Sequence, residues 1–190
     1  MKKLLLGATN KVAGFLVKGK VVAFPTDTVY GLLANASDKK AVAKLYQIKQ
    51  RSRSKPLPLF VSSIAMAKKL AFVGKYEESY LKKHWPGNTT FVLRRKKSSI
   101  LLYGVKKGSI ALRIPRYKPL QDILNMIPFP LTATSANISN KNPSNTAQEV
   151  ESQFRKQRAK PDVLVDGGAL KGKPSTIIDL TSRKPKVLRA

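Results

Sequence analysis

Apolar and polar positions along the chain change period several times, and each change marks a predicted element. "GKVVAF" is an apolar run bounded by Gly19 and Pro25, which predicts a buried strand. Ser37 has the chemistry of an N-cap. The segment after it, "DKKAVAKLYQIKQR", sets Ala41, Leu45 and Ile48 on one helical face. Further apolar runs predict strands at 57–61, 90–93, 109–113, 131–134, 163–166 and 176–180. Helical periodicity predicts helices at 64–71, 77–85, 119–127 and 146–157. Thr146, with Glu149 three residues on, has the spacing of a capping box. The alternation predicts a single α/β domain over residues 1–190, built on an open, mixed central sheet with flanking helices. No internal repeat interrupts it. The most loop-like segments are "SNKNPSN" (139–145) and "GGALKGKPS" (167–175).

Charge changes this picture more than composition does. The apolar fraction of 42% suits a globular chain, but 37 Lys and Arg against 10 Asp and Glu leave a net +27. The cations are spread along the chain, so the fold as a whole attracts polyanions. This agrees with a nucleotide or nucleic-acid partner, and equally with a surface merely decorated by lysine. With no cysteine there is no disulfide, thiolate nucleophile or sulfur-liganded zinc. No apolar run reaches membrane-spanning length, and the leucines of "MKKLLLGATNK" are too few for a signal-peptide core, so a cytoplasmic address is expected.

Two familiar motifs fail. "GGALKGKPS" approaches a Walker A loop, but Pro174 stands where Ser or Thr must hold magnesium, and its ring removes an amide donor. No G-x-G-x-x-G is present. His84, the only histidine, lies beside Trp85 and reads as a packing residue. Any metal would therefore be hard and oxygen-liganded, and Mg2+ carried in on phosphates fits best.

Three other segments are rich in groups that bind anions and polar ligands. "IKQRSRSKPL" places Lys49, Arg51, Arg53 and Lys55 at alternate positions where a helix gives way to a buried strand. "TATSANIS" ends a strand in hydroxyls and an amide, with Ser135 and Asn137 as donors or simply as turn residues. "PTDT" (25–28) is either a proline-initiated turn, with Asp27 bonding its own backbone, or a ligand-binding turn.

Taken together, these blocks resemble the YrdC/TsaC-type threonylcarbamoyl-AMP synthases. The resemblance runs through "VVAFPTDTVYGLLANA", "KQRSRSKPL", "WPGNTTFVLRR", "SIALRIPRYKPL", "TATSANIS", "PSTIIDL" and the final "VLRA". The family's K-x-R and S-x-N pair is present as Lys49/Arg51 and Ser135/Asn137. The resemblance implies the short bacterial form with the YrdC-like domain alone, and an open twisted α/β sheet with a basic concave face. The implied reaction joins L-threonine, bicarbonate or CO2, and ATP into threonylcarbamoyl-adenylate with release of pyrophosphate. That product is the activated donor for threonylcarbamoyladenosine in tRNA, and a partner transferase complex completes the transfer.

By matching position, the resemblance assigns Thr28, Arg113 and Ser175 to the substrate threonine. Arg51 and Lys55 fall to the ATP phosphates with Lys49 close by, making Lys49 and Arg51 the catalytic pair. Ser135 and Ser144 bind the nucleotide, Asn137 supports them, and Arg189 closes over it. Pro25 fixes the turn, while Tyr30 and Gly31 shape the wall. Ser109 is a further possible ligand. The chain departs from the family form in carrying one more residue between Ser135 and Ser144, and in "WPGNTT". The chemistry needs positioning and charge neutralisation rather than a protein nucleophile, which suits a chain with one histidine. Two competing readings are an RNA-binding or ribosome-maturation module that makes no adenylate, and a carbamoyl-transfer enzyme acting on another small molecule. Contact of the basic face with tRNA is expected as a second property, and no membrane partner is.

Overall fold

A computed structural model describes residues 1–97 and 100–190. In chain order its first half forms β1 (Lys2–Leu5), α1 (Thr9–Val17), β2 (Val22–Phe24), β3 (Gly31–Leu33), α2 (Lys39–Lys49), β4 (Leu59–Phe60), α3 (Ile64–Leu70) and α4 (Lys75–His84). The second half forms β5 (Thr89–Arg94), β6 (Ser109–Arg113), α5 (Lys118–Met126), β7 (Leu131–Thr132), β8 (Thr134–Ser135), α6 (Ala147–Phe154), β9 (Val163–Asp166), β10 (Thr176–Asp179) and β11 (Lys186–Arg189).

The α/β class and the open, mixed strand arrangement are as expected, but there are two sheets rather than one central sheet. The first has the order β1-β9-β2-β3-β8 and the second β11-β10-β5-β6-β4-β7. Each mixes parallel and antiparallel pairs. The predicted strand 131–134 divides between them: Leu131 and Thr132 pair with β4, whereas Thr134 and Ser135 pair with β3. Ala133 is the pivot, its amide bonded to the Pro58 carbonyl at 2.8 Å. One short segment thus ties the two sheets together beside the S-x-N residues.

The first sheet is covered on both faces, so its strands read as continuous apolar runs. In β2, Ala23 packs with Leu45, Ile48, Val150 and Phe154 under α2 and α6. Its neighbours Val22 and Phe24 point the other way, toward Leu16 of α1 and Leu120 and Ile123 of α5. The second sheet is covered on one face only. Phe91, Leu93 and Leu112 pack under α3 and α4 with Leu70 and Leu81. The alternate positions Val92, Ala111 and Ile177 face a cavity instead.

Capping agrees with the sequence pattern except at α2. Thr146 accepts from the Glu149 amide at 3.1 Å, and Glu149 reaches back to the Thr146 amide. Asp38, not Ser37, caps α2, accepting from Lys40 and Ala41 at 2.8 and 3.0 Å. A carboxylate satisfies two amides there and also suits the positive end of the helix dipole. Helix α2 stops at Gln50, whose left-handed backbone (φ 48°) throws the chain outward at the head of the basic run.

Candidate functional site

The uncovered face of the second sheet forms one wall of a cavity of about 740 Å³. The turn between β2 and β3, the end of α2, and the loop after β8 close it from the side of the first sheet. A space of this size lies in the range of small-molecule sites. Of the residues singled out from sequence, Thr28, Lys49, Arg51, Lys55, Arg113, Ser135, Asn137, Ser175 and Arg189 all line it, as do Tyr30, Gly31 and Ser109. Lys106 joins them, and Asp179 is the single carboxylate on the wall among the described residues.

The "PTDT" turn is held by threonine rather than aspartate. Thr26 Oγ1 donates to the Val29 carbonyl at 2.8 Å, accepts from the Thr28 amide at 3.1 Å, and meets Thr28 Oγ1 at 2.9 Å. Asp27 does not bond its own backbone, which corrects the turn-residue reading. Its carboxylate reaches across to the second sheet, accepting from Arg113 Nη2 at 2.5 Å and from the Arg116 amide at 2.8 Å. Burial draws the Arg113 pKa down from its ordinary value while Asp27 opposes the fall, and a guanidinium so placed stays charged. Arg113 Nε donates to the Gly87 carbonyl at 2.8 Å. Nη1 comes to 3.4 Å from Thr28 Oγ1, so the two predicted amino-acid ligands stand side by side.

Segment 167–175, the failed Walker loop, forms a strap over the same turn. Tyr30 OH donates to the Gly168 carbonyl at 2.8 Å and accepts from the Gly167 amide at 3.0 Å. Gly172 lies against the Thr28 backbone so closely that a Cβ there would collide with the Thr28 carbonyl. The strap delivers Ser175 to the wall. Its hydroxyl meets Thr90 Oγ1 at 3.0 Å and accepts from Arg189 Nη2 at 3.1 Å. Its carbonyl accepts from Arg189 Nε and Nη2 at 2.9 and 2.6 Å. Burial, and after it the nearby Arg113, lower the Arg189 pKa. Arg189 and Arg113 therefore form a pair of like charges facing one region of the cavity.

Lys49 is 3% exposed and has no carboxylate partner among the described residues. Its ammonium donates to the Ser135 and Asn137 carbonyls at 2.7 and 3.1 Å and to Asn137 Oδ1 at 2.7 Å, with Ser135 Oγ at 3.3 Å. Burial, and after it the Arg51 guanidinium, pull its pKa from 10.5 down to about 7. Lys49 thus organises the S-x-N pair, and Ser135 Oγ donates to Asn137 Oδ1 at 2.6 Å. Arg51 donates to the Lys55 and Pro56 carbonyls at 3.3 and 3.1 Å, which holds the basic loop as a turn.

Ser144 is the one predicted ligand that the structure does not bring to the wall. It is fully buried, donates to the Ala136 carbonyl at 3.0 Å and accepts from Gln153 Nε2 at 3.1 Å, while its own carbonyl takes the Tyr30 amide. Its neighbour Pro143 lines the cavity instead. Ser144 therefore braces Tyr30 from behind. Asp27 and Thr90 were missed as site residues. The sequence signal for Asp27 was a carboxylate kept between two threonines in an otherwise cationic site, and for Thr90 a hydroxyl in the "NTT" block.

No group of three or more His, Cys, Asp or Glu side chains that could hold a metal occurs among the described residues. Asp179 is the one carboxylate among the described residues on the cavity wall that could meet a cation carried in on phosphates.

Fold and site together define an α/β protein with a basic cavity walled by two sheets. Comparison with known proteins narrows this. A family model for Sua5, YciO and YrdC, described as "Telomere recombination", matches residues 14–190, and the chain belongs to that family. A threonylcarbamoyl-AMP synthase from Pyrococcus abyssi is 37% identical over 181 residues, 93% of this chain and 52% of that protein. A relative from Methanocaldococcus jannaschii, to which the same name is given provisionally, is 39% identical over 180 residues, covering 92% of this chain and 83% of its own length. The crystal structure of P. abyssi Sua5 complexed with L-threonine superposes with a TM-score of 0.88 at 33% identity, over 99% of this chain and 56% of that one. The chain thus spans about half the length of the P. abyssi relatives.

Proposed function

We propose that this chain makes threonylcarbamoyl-adenylate from L-threonine, bicarbonate or CO2, and MgATP, releasing pyrophosphate. The observation that carries the reading is convergence. Thr28, Arg113 and Ser175 line the same cavity as Lys49, Arg51, Lys55 and Ser135, although they come from segments as far apart as 28 and 175. Family membership and the named relatives support it. A P. abyssi relative binds L-threonine, the substrate proposed for the Thr28 end.

The chemistry follows from those positions. Arg113 takes the threonine carboxylate, and the Thr28 and Ser175 hydroxyls orient the remaining polar groups. The amine nitrogen adds to the carbon of CO2 and loses a proton, giving a carbamate. A carbamate oxygen then attacks the α-phosphorus of ATP, and the bond to the β-phosphate breaks with its electron pair leaving on pyrophosphate. No side chain is the nucleophile. The work of the protein is alignment and neutralisation of charge on the departing pyrophosphate, done by Arg51, Lys55 and Lys49. Asn137 holds Ser135 for the nucleotide, and Arg189, held against Ser175, closes over it from the C-terminus. Mg2+ enters as part of the nucleotide.

Residues 1–190 act as one catalytic unit in this reading, because the cavity draws on both sheets. The product then passes to a transferase complex that modifies tRNA, and the basic face meets tRNA through a salt-sensitive phosphate term. No helix among the described residues is long and apolar enough to cross a membrane. A cytoplasmic protein fits the tRNA target. An RNA-binding module without adenylate chemistry would have no use for a buried Thr28–Arg113 pair. The test is pyrophosphate release from MgATP and bicarbonate, with and without L-threonine. Release that depends on threonine is expected. Release indifferent to the amino acid supplied, or none at all, would refute the assignment.

A further inference from the structure

Asp27 lies in the β2–β3 turn with its side chain 11% exposed, and its partners come from the far side of the cavity. Oδ1 takes Arg113 Nη2 and Oδ2 takes the Arg116 amide, so one carboxylate clips the first sheet to the end of β6. The Gly87 carbonyl holds Nε of the same guanidinium. One edge of Arg113, Nε with Nη2, is therefore committed to protein. Nη1 is left beside Thr28 Oγ1 at the cavity wall. A guanidinium has about five N–H donors. Three of those in Arg113 have protein partners, which leaves two for a ligand.

The carboxylate also settles a charge problem. Arg113 and Arg189 bear on each other at this end of the cavity. Uncompensated, they would present two positive charges and favour small dianions. With Asp27 in place the group presents a single net positive charge, matched to one carboxylate.

We propose that Asp27 is a positioning and specificity residue for the amino-acid end of the site. It fixes the Arg113 rotamer with the Nη1 edge toward Thr28, and it cancels one of two charges so that a monocarboxylate is preferred to a dianion. The inference rests on the synthase reading only for naming L-threonine as that monocarboxylate.

The experiment is calorimetric titration of the full chain with L-threonine, ATP and sulfate, for wild type, Asp27→Asn and Asp27→Glu. Asp27→Asn keeps the shape but not the charge. It should weaken threonine binding by about tenfold or more, the scale for losing a charged partner of a buried hydrogen bond. Its sulfate affinity should rise by a similar factor, and its ATP affinity should stay within about twofold. A residue that merely supports the fold would lose affinity for all three ligands. Asp27→Glu keeps the charge but displaces it by a methylene, so threonine affinity should fall while sulfate affinity stays that of wild type. If Asp27→Asn does not fold, Asp27→Glu decides, and wild-type threonine affinity in it overturns the positioning role. Asp27→Asn matching wild type for both threonine and sulfate overturns the inference and leaves the synthase reading intact. A wild type that binds no threonine overturns the synthase reading instead, and the sulfate comparison still tests the cancelled charge.

Discussion

Replacing Lys49 by methionine separates what the residue does for the site from what it costs the fold. The ammonium is almost fully buried among oxygen acceptors, and its pKa stands at about 7 instead of 10.5. The unfolded chain therefore holds one more proton than the folded chain between roughly pH 7 and 10.5, so stability rises with pH across that window. At pH 7 the depressed pKa corresponds to about 4 kcal/mol of lost stability, taken at 1.36 kcal/mol per pH unit. Methionine removes that cost. In exchange, the Asn137 carbonyl loses its donor, while Ser135 Oγ and Asn137 Oδ1 keep each other and the Ser135 carbonyl keeps the Asn137 amide. One orphaned buried carbonyl costs about 1–3 kcal/mol. Lys49→Met should thus fold at least as stably as wild type at pH 7, by a margin of about 1–3 kcal/mol, yet release no pyrophosphate. Urea unfolding at pH 7.5 and 9.5 is the assay. Wild type should gain about 2–3 kcal/mol more than the variant between the two pH values. Subtracting the variant removes the contribution of the other lysines. Equal pH dependence in the two proteins would refute the reasoning, as would a variant destabilised by more than about 3 kcal/mol at pH 7.5.

Two further substitutions probe the other walls. Arg51→Ala should lower turnover by about 10² to 10³ with little change in urea midpoint, because Arg51 is half-buried and, among the described residues, its guanidinium bonds only to the Lys55 and Pro56 carbonyls; loss of circular dichroism signal would make Arg51 structural instead. Gly172→Ala forces a methyl into the Thr28 carbonyl. It should cost about 1–3 kcal/mol by overpacking and raise KM for threonine more than KM for ATP, a split read from steady-state kinetics; unchanged threonine KM would show that the strap does not shape that end.

How much of this was legible beforehand differs between elements for physical reasons. β2, α2 and α6 announced themselves, since they take their pattern from the cores they enter, whereas α1 and β3, which bury Leu16 and Leu32, were not predicted. Nor did the edge strands announce themselves. β1 reads "KKLL" and β11 "KVLR", both largely exposed and held by backbone pairing to β9 and β10 rather than by a pattern of burial. The division of 131–134 between two sheets was invisible too, because its apolar residues suit either one and only the pairing partners distinguish them. Asp38 took the cap from Ser37 because both residues have cap chemistry, and position along the helix axis decides between them.

The site followed a related rule. From residue type alone, the cations and hydroxyls of "KQR", "TATSANIS" and "PTDT" pointed to anions and polar ligands, and the structure brings them to one cavity. What the residue types could not tell is which polar groups face the ligand and which face one another. Ser144 and Asp27 have the chemistry of ligands, and both are spent on the protein, one bracing Tyr30 and the other clasping Arg113. Lys49 falls between, lining the cavity while all its bonds go to the S-x-N loop. That division has a common cause. A cavity walled by two sheets and rich in like charge must be held at a fixed width against its own repulsion. Contacts from one sheet to the other, Asp27 to Arg113 above all, supply the restraint, so a carboxylate that touches no ligand can govern what the cavity accepts.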